Sequence, residues 1–249
     1  MIFVTGDTHR EFSRFCRKAF PIQDELTKDD YVIITGDFGG VWDPTCEFDE
    51  ERIRLDWLDK LPFTTLFVDG NHENFNRLAQ YPEMEWSGGR VHQVRPSVLH
   101  LERGYVFNLD GQKVFTFGGA ESTDVEGGIL DPADPEYANK LHEVISDYAP
   151  FRVKGISWWE QELPTDEEMQ RGLENLRNVD GQVDLVITHC ASSSTQSIIS
   201  MRESNKLTDY LEQIKREVHY KDWYFGHYHQ TIDLFAGEHV IYSEIRRWK

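Results

Sequence analysis

The chain has 249 residues, enough for one large α/β domain or two small ones. Hydrophobic residues make up 39% and charged residues 28%, which is typical of an ordered globular protein and excludes a disordered chain. Lys and Arg number 26 against 44 Asp and Glu, so the net charge is −18. This balance disfavours a long nucleic acid or an anionic membrane as partner, because both are held by Lys and Arg.

The cysteines and the start of the chain indicate a compartment. Cys16, Cys46 and Cys190 are widely spaced, odd in number and contain no CxxC pair, so a disulfide framework is not expected. The first seven residues are too short and too quickly acidic for a signal peptide. No apolar run approaches the roughly 20 residues of a membrane span. We therefore expect a soluble, cytoplasmic protein.

The first third of the chain alternates strands with helices. Short runs of β-branched and aromatic residues predict buried strands at 2–5, 31–35 and 65–68. Apolar residues at helical spacing predict helices at 11–19 and 49–61. This rhythm favours a parallel sheet in a layered α/β fold.

The rest of the chain follows a mixed pattern. Closely spaced strands, which indicate antiparallel pairing, are predicted at 90–94, 98–102, 104–108 and 113–117. The segment 119–165 is rich in Gly, Asp and Pro and is predicted to be an irregular insertion near the active site. Helices are then predicted at 165–177 and 207–218, and strands at 183–188, 223–226 and 231–234. No linker divides the chain, so residues 1–249 are predicted to form a single domain.

Five predicted strands end in side chains that bind metal ions in other proteins. Ligands bind beyond the carboxyl ends of strands in open α/β sheets, so these loops can converge on one crevice. Each motif alone occurs by chance, but five in this setting predict a metal site. They are Gly6-Asp7-Thr8-His9, Gly36-Asp37, Gly70-Asn71-His72-Glu73, His189 and Gly226-His227-Tyr228-His229.

In this order the five motifs resemble those of the calcineurin-like metallophosphoesterase family, and the likeness runs from Asp7 to His229. The resemblance implies a four-layer αββα sandwich, in which two mixed sheets are flanked by helices. It also implies two metal sites that share Asp37 as a bridge. The first would be completed by Asp7, His9 and His229, and the second by Asn71, His189 and His227.

The chemistry of these side chains agrees with the resemblance. Imidazole and carboxylate together suit transition metals, so we expect two divalent ions, Mn foremost and Fe, Zn or Ni as alternatives. Side chains at i and i+2 on an extended segment point the same way, roughly 6.6 Å apart. His227 and His229 can therefore reach different ions of a pair about 3.5–4 Å apart.

The expected reaction is hydrolysis of a phosphate ester. A hydroxide bridging the two ions would attack phosphorus in line, while both ions neutralise the developing charge. His72 is not needed as a ligand if Asn71 fills the second site, so we expect it to protonate the leaving alkoxide or to hydrogen-bond the phosphate. Arg10 and Arg152 are predicted to bind the substrate, and the Trp158-Trp159 pair to offer an aromatic surface to a flat group.

One motif departs from the protein Ser/Thr phosphatases of this family, which carry Gly-Asp-x-x-Asp-Arg. Here Gly40 and Val41 stand at the last two positions, which disfavours a protein phosphatase. The Asp that would orient His72 is therefore missing. Its replacement is left open among Asp69, Glu73 and Glu121.

We therefore expect a phosphodiesterase acting on a small or nucleotide-like phosphate ester. Within the family the alternatives are a phosphomonoesterase, a protein phosphatase or a nuclease, and no basic stripe exists to hold a long strand. The alternative of another class is a catalytically inactive binding module, which would have lost some of the seven ligands. The remaining histidines lack the strand-terminal setting and are expected to be structural or superficial: His92, His100, His142, His219 and His239.

Overall fold

The computed structural model describes residues 1–249. Its six α-helices are α1 (Asp49–Asp59), α2 (Phe75–Leu78), α3 (Tyr137–Ser146), α4 (Asp166–Arg177), α5 (Ser193–Ile199) and α6 (Lys206–Glu217). Its strands are β1 (Ile2–Thr5), β2 (Tyr31–Ile34), β3 (Thr64–Phe67), β4 (Glu83–Trp86), β5 (Gly89–Arg95), β6 (Val98–Leu101), β7 (Tyr105–Leu109), β8 (Gln112–Phe117), β9 (Ile129–Leu130), β10 (Arg152–Val153), β11 (Leu185–Thr188), β12 (Asp222–Phe225), β13 (Ile232–Asp233), β14 (Glu238–Val240) and β15 (Ile245–Arg247).

Two large mixed sheets organise these strands. The first has seven strands in the order β15-β1-β2-β3-β6-β5-β4, and the second has six in the order β13-β14-β12-β11-β8-β7. In the first sheet β1, β2, β3 and β6 run parallel, while β15, β5 and β4 pair antiparallel. In the second, β8, β11, β12 and β14 are parallel. The short strands β9 and β10 pair separately.

Three apolar clusters fill the space between the layers. One lies between the two sheets, where Ile33 and Leu66 of the first sheet meet Leu185 and Ile187 of the second. A second cluster joins the other face of the first sheet to α1. A third joins the other face of the second sheet to α4 and α6. The predicted αββα sandwich of two mixed sheets flanked by helices is therefore confirmed.

Two of the predicted elements differ. The helix predicted at 11–19 is wrong, because this stretch holds only a 3-10 turn at Ser13–Phe15, and another follows at Pro21–Glu25. Arg14 explains the departure, since its guanidinium donates to the backbone carbonyls of Gly6, Asp7 and Tyr242 and ties the segment to the strand ends. The segment 119–165, expected to be irregular, contains α3 and the β9–β10 pair.

Several elements were not predicted from the sequence, namely α2, α5, β4, β14 and β15. Each has at most seven residues, too few for a periodic pattern to emerge. None of the helices has the length and apolar character needed to cross a bilayer.

A buried ion pair secures the loop between β2 and α1. Glu51 of α1 is fully buried and lies 2.9 Å from the guanidinium of Arg77 in α2. Its other oxygen accepts the backbone N–H groups of Trp42 and Asp43, at 2.8 and 2.7 Å. One carboxylate thus fixes the position of Trp42.

We expect Glu51→Ala to lower the free energy of unfolding by about 3–5 kcal/mol, because it leaves a buried arginine without its partner. Urea denaturation followed by circular dichroism measures the loss. Glu50→Ala is the matched control, since Glu50 pairs with Arg54 on the exposed face of the same helix and should change stability by about 0–1 kcal/mol. Equal losses of unfolding free energy in the two variants would show that the buried ion pair stabilises the fold no more than the exposed one.

Candidate metal centre

The predicted metal ligands follow strands of both sheets and meet at one place. The loops after β1, β2 and β3 come from the first sheet, and those after β11 and β12 from the second. Backbone hydrogen bonds join them: the N–H groups of Thr8 and His9 donate to the carbonyl of Asp37, and that of Gly226 donates to the carbonyl of His189. The backbone N–H of His227 lies 3.1 Å from both carboxylate oxygens of Asp7.

The four residues predicted for the first ion lie together. Their ligand atoms are all within 4.8 Å of one another. His9 Nε2 lies 3.1 Å from His229 Nε2 and 3.7 Å from Asp37 Oδ2, and His229 Nε2 lies 3.2 Å from Asp7 Oδ2. Both aspartates are buried, so their charges are shielded from water.

The residues predicted for the second ion are adjacent but less tightly gathered. His189 Nε2 lies 3.2 Å from Asp37 Oδ1, and the rings of His189 and His227 are 5.1 Å apart. Asn71 donates from Nδ2 to Ser122. His227 Nε2 accepts a hydrogen bond of 2.7 Å from Arg202, which stands in front of this nitrogen. Asp37 therefore presents one oxygen to each set of predicted ligands.

The backbone of the centre is held in an uncommon conformation. Positive φ angles occur at His9 (44°), Asp37 (45°), His227 (67°) and His229 (50°), all outside the region that L-residues prefer. Such conformations cost of order 1–3 kcal/mol each and persist only where the surrounding structure enforces them. Four of them among the seven predicted ligands indicate that the fold is built to position these side chains.

The electrostatics of the site favour positive charge beside Asp37. Burial alone would raise the pKa of Asp37, but His189, His72 and His9 hold it well below its usual range. Burial likewise opposes the charging of His189, yet the Asp37 carboxylate raises the pKa of His189 to about 10. Burial and the neighbouring His189 lower the pKa of His227 well below its usual value. Positive charge beside the Asp37 carboxylate is thus favoured.

Gly36 has no room for a side chain at this centre. Its φ is +101°, and a Cβ atom placed there would lie 2.2 Å from His189 Nδ1. The same nitrogen lies 2.7 Å from the carbonyl oxygen of Thr35, which fixes the ring. A side chain at Gly36 would therefore displace the imidazole of His189.

We expect Gly36→Ala to lower the free energy of unfolding by about 2–4 kcal/mol and to weaken metal binding, because strain and overpacking add at this position. Denaturant titration and the metal content of the purified protein measure the two effects. The control is Gly111→Ala, also at positive φ but with no atom within 4 Å of the added Cβ. It should keep its metal, and a Gly36→Ala protein with unchanged metal affinity would contradict this role.

His72 lies at the edge of the centre beside a predicted substrate-binding residue. Its Nε2 is 3.2 Å from Arg152 Nη2, and because a guanidinium only donates, Nε2 accepts this bond. Its backbone N–H donates to Asp37 Oδ1, and its ring lies 5.0 Å from that of His9. Burial and the positive charge of Arg152 lower the pKa of His72, although Asp37 opposes them.

The carboxylates named as orienting partners of His72 contact other groups. Asp69 pairs with Arg103, Glu73 accepts the N–H groups of Phe38 and Gly39, and Glu121 accepts from Asn205. Arg152 contacts His72 in place of these carboxylates. Arg152 in turn forms an ion pair with Asp124 at 2.7 Å.

A cavity of about 160 Å³ opens beside His72, lined by His9, Arg10, Gly39, Trp42 and His72. Arg10 faces this space while pairing with Asp43 at 3.3 Å. Of the predicted aromatic pair, Trp159 is buried against Trp42 and supports the wall from behind. Trp42 was not predicted from the sequence, and it is the aromatic residue that lines the cavity.

Arg202 is a second residue that the sequence did not point to. It lines a cavity of about 170 Å³ on the His227 side of the centre, together with Glu121, Gln196 and Asn205. Its guanidinium also lies over the ring of Tyr228 and forms no ion pair with a carboxylate. Arg202 follows no motif, so only the folded chain reveals its place.

The residues fit divalent metal ions. Asn71 Oδ1 is a buried atom without a hydrogen-bond partner, and His189 Nε2, although 3.2 Å from Asp37 Oδ1, does not meet hydrogen-bond geometry there. An orphaned buried polar atom costs about 1–3 kcal/mol unless a ligand satisfies it, and both atoms are metal donors. The mixture of imidazole, carboxylate and amide is that of transition-metal sites rather than of all-oxygen Ca²⁺ or Mg²⁺ sites.

An αββα sandwich with Asp and His side chains gathered at the strand ends of both sheets defines a metal-dependent phosphoesterase fold. The calcineurin-like phosphoesterase family matches residues 1–231, and the chain belongs to that family. The resemblance read from the motifs is thereby confirmed. Members of this family typically bind divalent metal ions, and the family is one of hydrolases acting on phosphate esters.

No curated protein matches the chain at a significant level. Among solved structures, the chain is similar to a crystal structure of a protein of unknown function from Aquifex aeolicus. The two are 16% identical, the match covers 59% of this chain and 72% of the other, and the TM-score is 0.27.

Proposed function

We propose that the protein is a dinuclear metal-dependent phosphodiesterase that acts on a small or nucleotide-like substrate. The observation that supports this most is the placement of Asp37, whose Oδ2 faces His9 and whose Oδ1 faces His189. One buried carboxylate between two sets of donors is the arrangement that a bridging ligand requires.

In this proposal Asp7, His9, Asp37 and His229 hold one ion, and Asp37, Asn71, His189 and His227 hold the other. When bound, a pair of divalent ions, Mn²⁺ foremost, supplies an activated water at neutral pH and neutralises charge on the phosphoryl oxygens. His227 Nε2 is occupied by Arg202, so His227 would bind the second ion through Nδ1, or through Nε2 if Arg202 turns away. Arg202 has no carboxylate partner and stands where it could contact the substrate phosphate.

The side chains around the centre would orient the ester. His72 and Arg152 are adjacent and stand on the same side of Asp37, where a phosphoryl oxygen or a leaving oxygen can be hydrogen-bonded. Arg10 and Trp42 line the neighbouring cavity and offer a cation and an aromatic surface to the group attached to phosphorus. These contacts suit a nucleoside or another flat alcohol.

Apart from the two ions, the centre offers few free cations to a substrate. Arg10 and Arg152 are already paired with Asp43 and Asp124, so Arg202 is the guanidinium without a carboxylate partner. One free guanidinium beside the ions suits the single negative charge of a phosphodiester better than the dianion of a monoester. The protein's net charge of −18 further disfavours a long nucleic acid.

We also infer a cytoplasmic location. The structure contains three free cysteines, of which Cys16 and Cys46 are exposed. Exposed thiols persist in a reducing compartment and are oxidised outside it.

The test is a comparison of three substrates with metal-stripped protein. Bis(4-nitrophenyl) phosphate, 4-nitrophenyl phosphate and a 2′,3′-cyclic nucleotide are each supplied with Mn²⁺, Ni²⁺, Zn²⁺ or Fe²⁺. We expect the highest kcat/KM for a diester with Mn²⁺. A preference for the monoester would support a phosphomonoesterase instead, and tight metal binding without turnover of any ester would support an inactive binding module.

A further inference from the structure

A second cluster of metal-binding side chains lies at the edge of the first sheet. It borders a cavity of about 280 Å³ lined by residues that include Glu83, His92, His100 and Glu102. Cross-strand register brings them together, since Glu83 of β4 pairs with His92 of β5, and His92 pairs with His100 of β6. Glu102 directly follows β6, and its backbone N–H donates to the carbonyl of Arg90.

Three of these side chains point ligand atoms at one another. The donor atoms of Glu83, His92 and Glu102 all lie within 4.8 Å of each other. His92 Nε2 and Glu83 Oε1 are 3.8 Å apart, which is too far for a hydrogen bond. This separation fits ligand atoms that surround one ion better than groups that are hydrogen-bonded to each other.

A relay of hydrogen bonds orients the His92 ring. His100 Nε2 lies 3.2 Å from Asp69 Oδ1, and since a carboxylate only accepts, this nitrogen carries a proton. In a neutral His100 ring Nδ1 then accepts from His92 Nδ1, 3.1 Å away. The remaining nitrogen of His92, Nε2, is left with a free lone pair facing the glutamates. A ligating histidine in a metal site regularly donates its other ring N–H to a fixed acceptor, and for His92 that acceptor is His100.

The glutamates also keep one oxygen each for a ligand. Arg90 lies 3.1 Å from Glu83 Oε2 and 3.4 Å from Glu102 Oε2. Glu102 Oε1 is buried and has no hydrogen-bond partner. Arg90 therefore neutralises one of the two carboxylate charges and leaves a net negative charge and an unsatisfied oxygen beside His92.

We propose that Glu83, His92 and Glu102 bind a divalent transition-metal cation at a site separate from the Asp37 centre. One imidazole and two carboxylates are donors that Zn²⁺ and Mn²⁺ accept, and the cavity leaves room for water to complete the coordination. The cation ties β4, an edge strand with mostly exposed side chains, to β5 and to the end of β6. Asp69 hydrogen-bonds His100 beside this site and directly precedes the Gly70-Asn71-His72 loop of the Asp37 centre. The proposal does not depend on the proposed function.

The experiment counts bound ions in the full chain. Wild-type protein, Glu83→Gln, His92→Gln and the control Glu85→Gln are dialysed to equilibrium against Zn²⁺ or Mn²⁺, and bound metal is measured by mass spectrometry. Glu85 lies on the same strand but outside the cluster, and is exposed. We expect the Glu83 and His92 variants to hold one ion fewer per chain than wild type, and the control to hold as many.

Two results would overturn the site. One is an equal ion count in wild type and both cluster variants. The other is a loss of thermal stability in those variants with the metal content unchanged, which would make the cluster an ordinary ion-pair network around Arg90. Glu83 is 54% exposed, so Glu83→Gln keeps the fold and the count stays interpretable. The experiment compares the number of ions bound by wild type and by each variant, so its result does not depend on how many ions bind at the Asp37 centre.

Discussion

Asp37→Asn is expected to lower kcat/KM by about 10³-fold or more and to strip metal from the protein. The substitution keeps the volume of the side chain but removes the charge that both predicted metal sites share. Losing a bridging ligand forfeits several kcal/mol of charge stabilisation in a two-metal reaction, and about 4 kcal/mol corresponds to a factor of about 10³ in rate. Steady-state kinetics with a phosphodiester and the metal content of the same preparation measure the two losses.

Asp30→Asn is the matched control for this substitution. Asp30 is also buried and hydrogen-bonded, to the chain's amino group and to Thr27, but it lies outside the centre. It should lower stability without changing metal content. If Asp37→Asn kept both its metal and its turnover, the bridging role would be refuted.

His72→Ala is expected to lower kcat by about 10²–10⁴-fold while the metal content stays at the wild-type level. His72 contacts Asp37 only through its backbone N–H, which alanine retains, and its ring contacts Arg152 rather than the carboxylates. The loss should therefore fall on kcat and not on metal affinity. Kinetics at saturating metal, together with metal analysis, separate the two.

The control for His72→Ala is His142→Ala, since His142 belongs to α3, a helix without buried residues. It should retain full activity. Loss of metal from His72→Ala would place His72 among the ligands and contradict the assignment made here.

The sequence predicted those parts of the molecule that depend on local pattern. Residues 2–5 and 31–35 are β-branched or aromatic at nearly every position and show no alternation of polar and apolar residues. This pattern indicates parallel strands that are buried on both faces. Since the carboxyl ends of such strands meet at one edge, the sequence alone places Asp7 and Asp37 close together. The motif order then identified the family.

The parts that were missed depend on tertiary contacts. The helix predicted at 11–19 is replaced by turns because Arg14 hydrogen-bonds distant carbonyls, including that of Tyr242. Arg202 reaches His227 from a segment without any motif. His92 was expected to be structural or superficial, and its nearness to Glu83 and Glu102 follows from the register of β4, β5 and β6, which the sequence does not specify.

In the proposed centre, seven side chains from five loops hold two ions that share Asp37. Anomalous diffraction from crystals grown with Mn²⁺ can locate these ions, since each bound ion gives its own peak. We expect two peaks on either side of Asp37, one beside His9 and His229 and the other beside Asn71, His189 and His227. A single peak away from Asp37, or no peak among these side chains in fully loaded crystals, would contradict it.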